Sequence, residues 1–262
     1  ERESTASEDK AEHRGVARAL ALHGQRAPHD PATAYVAYTR YKFNDFSPHV
    51  LITNDYGQSW HDRTNGIADE DWVKVVREDP VRPGLLYAGT ETGVYVSLDA
   101  GDSWESLRLN LPVAPVHDLV VKDGDLVAAT HGRSFWILDD LTPLRQLTDD
   151  ALLRPAHLFE PPPAYRMPPI PGETAAFRQG PGKNYGVALG APATFVDGPS
   201  RAGGVARNFL DAGHNPPGGV IVTYYLRERP GLGPELAFFD EDGHEIRRFS
   251  ASDEGGPDVP AD

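Results

Sequence analysis

Two copies of one eight-residue signature, 44 residues apart, constrain this chain more than any other feature. They read Thr53-Asn54-Asp55-Tyr56-Gly57-Gln58-Ser59-Trp60 and Ser97-Leu98-Asp99-Ala100-Gly101-Asp102-Ser103-Trp104. Both fit Ser/Thr-x-Asp-x-Gly-x-Ser-Trp, and each ends an apolar run, Val50-Leu51-Ile52 or Val94-Tyr95-Val96. A strand entering a tight turn at a period of about 40–45 residues is the mark of a propeller blade.

Each position of the octet has a physical task. Asp55 and Asp99 accept hydrogen bonds from the amides of their own turn, which the reversing chain cannot pair in a ladder. Gly57 and Gly101 permit a positive φ. Trp60 and Trp104 begin the returning strand and offer large apolar area to the space between neighbouring sheets, so truncating either is expected to cost about 3–5 kcal/mol. The signature resembles the Asp-box of the BNR-repeat proteins, which include sialidases, sortilin-type ectodomains and xyloglucan-cleaving hydrolases. The resemblance implies a box at the blade periphery, away from the ligand channel, and therefore a structural set: Thr53, Asp55, Gly57, Trp60, Ser97, Asp99, Gly101 and Trp104.

Along the chain, residues 1–26 read as a polar lead-in with a short helix over 15–23. Three units follow within residues 27–150. Strands are expected over 33–38 and 50–53 in the first, and over 71–76, 85–90 and 94–97 in the second. In the third they are expected over 116–121, 125–130 and 134–140. Ala88-Gly89-Thr90 and Ala128-Ala129-Thr130 share one phase, and Asp140 falls near the Asp-box position with no Gly or Trp after it. Residues 151–172 form a linker, with seven prolines between Arg154 and Pro171, favouring a polyproline spacer. Residues 173–262 carry strands over 219–226, 235–240 and 244–250, the last two joined by Asp242-Gly243, and read as a partial Ig-like β-sandwich. The fold class is thus all-β: Asp-box β-propeller blades, an incomplete propeller, then a Pro-rich linker and a partial sandwich. Three blades do not close, since propellers use roughly four to eight. The expected partner is therefore a protein chain, or missing N-terminal blades.

Longer stretches carry the resemblance further. They include His29-Asp30-Pro31, Asp45-Phe46-Ser47-Pro48, Leu86-Tyr87-Ala88-Gly89-Thr90-Glu91-Thr92-Gly93-Val94-Tyr95 and Ala129-Thr130-His131-Gly132-Arg133-Ser134-Phe135-Trp136. Together they resemble large bacterial proteins of the sortilin-like or "glycosyl hydrolase" (xyloglucanase-like) group. That resemblance covers residues 27–250 and implies an exported propeller with a sandwich tail, hence a secreted, periplasmic or cell-surface place.

Charge excludes several functions. At a formal net charge of −14, with no long basic run, the chain is no nucleic-acid binder. No apolar run is long enough for a transmembrane helix, so membrane insertion is not expected. With no cysteine, disulfides, thiolate catalysis and cysteine zinc sites are excluded. The ten histidines show no zinc spacing, and neither a metal nor a cofactor is expected. Asp240-Glu241-Asp242-Gly243 has calcium-type acids but reads first as a hairpin turn.

Candidate ligand residues are Asp69, Glu70 and Asp71 beside Trp72, Glu91 in a strand-joining turn, and His131 with Arg133 around Gly132. Each also has a structural reading: a solvated loop for the acids, turn polarity for Glu91, and pairing with Asp139 or Asp140 for Arg133. The ligand would be a carbohydrate or a peptide. A glycosidase needs two carboxyl groups flanking the scissile bond, and no catalytic residue can be named. The expected function is a non-catalytic binding or assembly module. The alternatives are part of a carbohydrate-active hydrolase with acids partly outside this chain, and a scaffold subunit of a larger complex.

Overall fold

The computed structural model describes residues 21–164, 183–188, 191–199, 205–209, 220–228 and 233–250. Strands β1 (Ala21–Arg26), β2 (Ala34–Thr39), β3 (Val50–Thr53) and β4 (His61–Asp62) pair in chain order into a four-stranded antiparallel sheet, blade 1. Strands β5 (Val73–Glu78), β6 (Leu86–Thr90), β7 (Val94–Ser97) and β8 (Glu105–Ser106) repeat the plan as blade 2. Among the described residues blade 3 has three strands, β9 (Val116–Lys122), β10 (Asp125–Thr130) and β11 (Phe135–Leu138), with β11 at its edge. The fold is all-β and built of propeller blades.

Blades stack face on face because their strands are apolar on both sides. Tyr35, Ala37 and Val50 of blade 1 meet Val76, Leu86 and Ala88 of blade 2 in one core. Val75, Tyr87, Val94 and Val96, from the opposite face of blade 2, meet Leu119, Leu126 and Ala128 of blade 3 in another. Blade 2 is thus buried on both faces, and all five residues of β6 are buried. Continuous burial of this kind explains a strand that reads as an apolar run instead of an alternating one.

After blade 3 come two short helices, α1 (Thr142–Gln146) with a proline in its first turn, and α2 (Asp149–Leu153), whose N-cap hydroxyl on Thr148 accepts from Ala151 N at 3.3 Å. β12 (Ala156–Leu158) follows. The chain divides into two compact units, Glu1–Glu160 with Val222–Asp262, and Pro161–Ile221. The second unit contains an antiparallel sheet of β13 (Lys183–Ala188), β14 (Ala191–Pro199) and β15 (Val205–Phe209). In the first unit β16 (Tyr224–Leu226) pairs with β12, and β17 (Glu235–Phe239) with β18 (Glu245–Ser250) forms the expected hairpin, its turn using Gly243 at φ +81°. No helix among the described residues is long and apolar enough to cross a membrane.

Two sequence expectations need correction. The helix over 15–23 lies mostly outside the described residues, and its last three positions belong to β1, because this segment pairs in full register with β2 from Ala21↔Thr39 to Arg26↔Ala34. Blade 1 therefore draws its first strand from the stretch read as a lead-in. The strand over 219–226 is confined to its last three residues, where β12 supplies the only ladder partner it has among the described residues.

Candidate functional site

In an antiparallel meander, the first–second and third–fourth connections lie at one end of a blade. The second–third connection and the link to the next blade lie at the other. The boxes occupy the first end. There Thr53 Oγ1 donates to Asp55 Oδ1 at 2.8 Å, while Asp55 accepts from Ser59 N (2.9 Å) and Ser59 Oγ (2.6 Å). Ser97, Asp99 and Ser103 reproduce these bonds at 2.7, 2.9 and 2.6 Å. The Ser59 hydroxyl and amide, with Thr53, hold the Asp55 carboxyl far below its ordinary value. At Asp99 partial burial pushes upward, but the Ser103 hydroxyl and amide outweigh it and the net shift is down. Carboxylates so saturated with donors are turn staples and are poorly placed for acid–base chemistry.

The opposite end collects every residue singled out as a ligand candidate, together with an aromatic group that the strand pattern did not single out. Between β2 and β3, residues Tyr41–Phe43 form a 3-10 turn closed by Asn44 in the left-handed region. Asp45 holds this excursion together: Arg40 Nη1 lies 2.8 Å from Asp45 Oδ2, His49 Nε2 lies 3.3 Å from the same oxygen, and Ser47 N donates to Oδ1 at 3.2 Å. The excursion delivers Tyr41 and Phe46 onto Trp72 at the start of blade 2. Ring centroids are 5.8 Å apart for Tyr41–Trp72, nearly parallel at 21°, and 5.4 Å for Phe46–Trp72. Lys74 Nζ sits 5.4 Å from the Trp72 ring and 2.7 Å from Glu91 Oε2. The indole N–H of Trp72 is buried without a hydrogen-bond partner among the described residues, so ring contacts and the Lys74 cation set the ring. Tyr41, Phe43 and Phe46 remain exposed, at 41%, 54% and 37%.

The sequence candidates separate by environment. Asp71 is buried, and its carboxylate accepts from Thr92 N at 3.0 Å and Thr92 Oγ1 at 2.7 Å, tying the blade 1–blade 2 link to the β6–β7 turn. Asp71, read from the sequence as a ligand candidate, is thus engaged in a buried bond within the fold. Asp69 and Glu70 are exposed, with Glu70 at φ +64°. Glu91 is engaged by Lys74. His131 and Arg133 are exposed in the β10–β11 turn, where the His131 amide donates to Pro115 O at 2.8 Å, its ring meets His117 edge-on, and the Arg133 carbonyl accepts from Trp136 Nε1. They share the end with the aromatic group but stand on blade 3, whereas the rings stand on blades 1 and 2.

Trp60 also departs from expectation. Trp104 is buried between blades 1 and 2, and its indole N–H donates to Arg63 O at 2.8 Å. Trp60 is half-buried, lying over its own Gly57. Trp104 packs on the link that precedes its blade, and for Trp60 no such link exists among the described residues.

Structural comparison finds partial likeness to several solved chains, two GH74 enzymes among them. A GH74 enzyme of Niastella koreensis is 15% identical, with 47% of this chain and 21% of that one covered and a TM-score of 0.37. An ancestral GH74 enzyme is 12% identical, with 87% and 27% covered and a TM-score of 0.30. The chain spans about a fifth to a quarter of those chains. No protein-family model matches it, and no curated protein does. The blade assignment rests on the strand order and stacking described above.

Proposed function

We propose that this chain is a non-catalytic binding module of an exported bacterial Asp-box propeller protein of the sortilin-like group, taking a carbohydrate on the aromatic end of blades 1 and 2. One observation carries the reading: two exposed rings, Tyr41 and Phe46, packed on Trp72 beside the Lys74–Glu91 pair, with Phe43 exposed on the same turn. A pyranose presents a face of C–H groups that stacks on such rings, and its rim hydroxyls take hydrogen bonds from neighbouring charged groups. Exposed aromatic surface rimmed by a few placed polar groups is a mark of binding surfaces. Affinity electrophoresis through gels containing neutral β-linked polysaccharides tests it. Retardation of the wild type that falls at least about tenfold in Tyr41→Ala/Phe46→Ala is expected. Mobility unchanged in every polysaccharide would end the carbohydrate reading.

The second reading, part of a glycoside hydrolase, draws on Asp69 and Glu70, two exposed acids adjoining Trp72 at the same end. It predicts release of reducing sugar that disappears in Asp69→Asn/Glu70→Gln.

A further inference from the structure

Among the described residues blade 3 lacks the fourth strand that its neighbours carry. Blades 1 and 2 each carry a two-residue fourth strand, paired as Leu51↔Asp62 and Ile52↔His61, and as Tyr95↔Ser106 and Val96↔Glu105. Among the described residues nothing pairs with the outer edge of β11. The decayed box still starts correctly. The amide of Leu141 donates to Gly124 O at 2.8 Å, as Tyr56 does to Ala32 and Ala100 to Gly84. The chain then enters α1 instead of returning. Arg145 of α1 is bound to the buried Asp79, and Arg82 donates to the carbonyls of Leu144 and Leu147, so this path is fixed.

What the missing strand would have inserted can be read from blade 2. Trp104 fills a space between Val50 of blade 1, Ile67 of the linking turn, and Leu86, Ala88 and Tyr95 of blade 2. The strand registers Leu86↔Ser97 and Leu126↔Leu138 make the blade 3 equivalents Leu126, Ala128 and Trp136. The linking turns also correspond, with Arg63 N bonded to Val50 O and Leu107 N to Val94 O, and with Ile67 N bonded to Thr64 O and Leu111 N to Arg108 O. The Trp104 position in the blade 2–blade 3 interface should therefore be bounded by Val94, Leu107, Leu111, Leu126, Ala128 and Trp136. A groove open to solvent lies there, lined by all six. Leu109 at its rim is 70% exposed, and Ile137 on β11 is 57% exposed.

We propose that this groove and the β11 edge form a strand-acceptor site for an extended segment of another polypeptide, which pairs with β11 and seats a tryptophan where blade 2 seats Trp104. The inference rests on the reading that these blades are completed from outside the chain, and it is independent of the carbohydrate end. The occupant follows from continuity with the filled interface next door: an indole in the pocket, its N–H at the Leu107 carbonyl as Trp104 is at Arg63, followed by two polar strand residues like Glu105-Ser106. Addition of a strand to an open sheet edge is an established mode of peptide recognition. A head-to-tail copy of this chain is disfavoured as occupant, because Leu51 and Tyr38 on the far side of blade 1 are already buried.

The test uses the full chain and a fluorescein-labelled synthetic peptide with the sequence of residues 97–107. Saturable anisotropy change is expected, with affinity falling at least about tenfold when the peptide tryptophan is replaced by alanine, and with slowed amide exchange in β11 on binding. No change at high micromolar protein overturns the proposal, as does equal binding of the alanine and scrambled peptides. Concentration-dependent dimers that protect β11 without any peptide response would assign the groove to a second copy and likewise overturn it.

Discussion

The Trp104 indole donates to the backbone carbonyl of Arg63, 41 residues earlier, at 2.8 Å. One box thereby fastens its own blade to the exit of the preceding one. Trp104→Ala removes a buried aromatic and strands that carbonyl, and should cost about 3–5 kcal/mol. Trp60→Ala removes a half-buried ring without a cross-blade bond and should cost less than about 2 kcal/mol. Urea unfolding of both variants checks the ranking; equal losses would refute the role given to the preceding link.

The box acids should shape the acid limb of stability. Asp55 and Asp99 both sit below the ordinary carboxyl value in the folded chain. Their contribution is therefore fully present above the unfolded value of about 3.9 and is lost as pH falls through the folded values. Asp55→Asn/Asp99→Asn should lower the melting temperature at neutral pH and flatten its fall on acidification. Parallel pH profiles for variant and wild type would contradict this.

Asp79 and Arg145 form a second long-range fastening. Asp79 is fully buried and accepts from Arg145 Nε at 3.1 Å and Nη2 at 3.0 Å, and from the amides of Val81 and Arg82 at 2.8 Å each. Arg145→Met leaves a buried carboxylate short of its cation and should cost about 3–5 kcal/mol. Asp79→Ala/Arg145→Met should cost less than the sum of the two single changes, a coupling that a double-mutant cycle measures.

Two glycines at positive φ should respond differently to alanine. A Cβ at Gly66 (φ +95°) would stand 2.2 Å from the Trp104 carbonyl oxygen, whereas one at Gly132 (φ +80°) meets nothing within 4 Å. Gly132→Ala should lose only the left-handed penalty of about 1–2 kcal/mol. Gly66→Ala adds a backbone clash and should lose clearly more, as thermal melts will show.

The local parts of this protein were legible in its sequence. The boxes close through hydrogen bonds spanning two to four residues, so their residue types announce the turn wherever it occurs, and β3, β7 and the strands of blade 3 fall where the apolar runs place them. The hairpin at Asp242-Gly243 is legible for the same reason. What the tertiary structure decided is non-local. That Asp71 is spent on Thr92, that Trp104 is buried while Trp60 is not, and that Tyr41 and Phe46 converge on Trp72 depend on partners some 20 to 40 residues away in the chain or on a neighbouring blade. Residue type states what a side chain can bond to. Only the stacking of sheets determines which partner comes within reach.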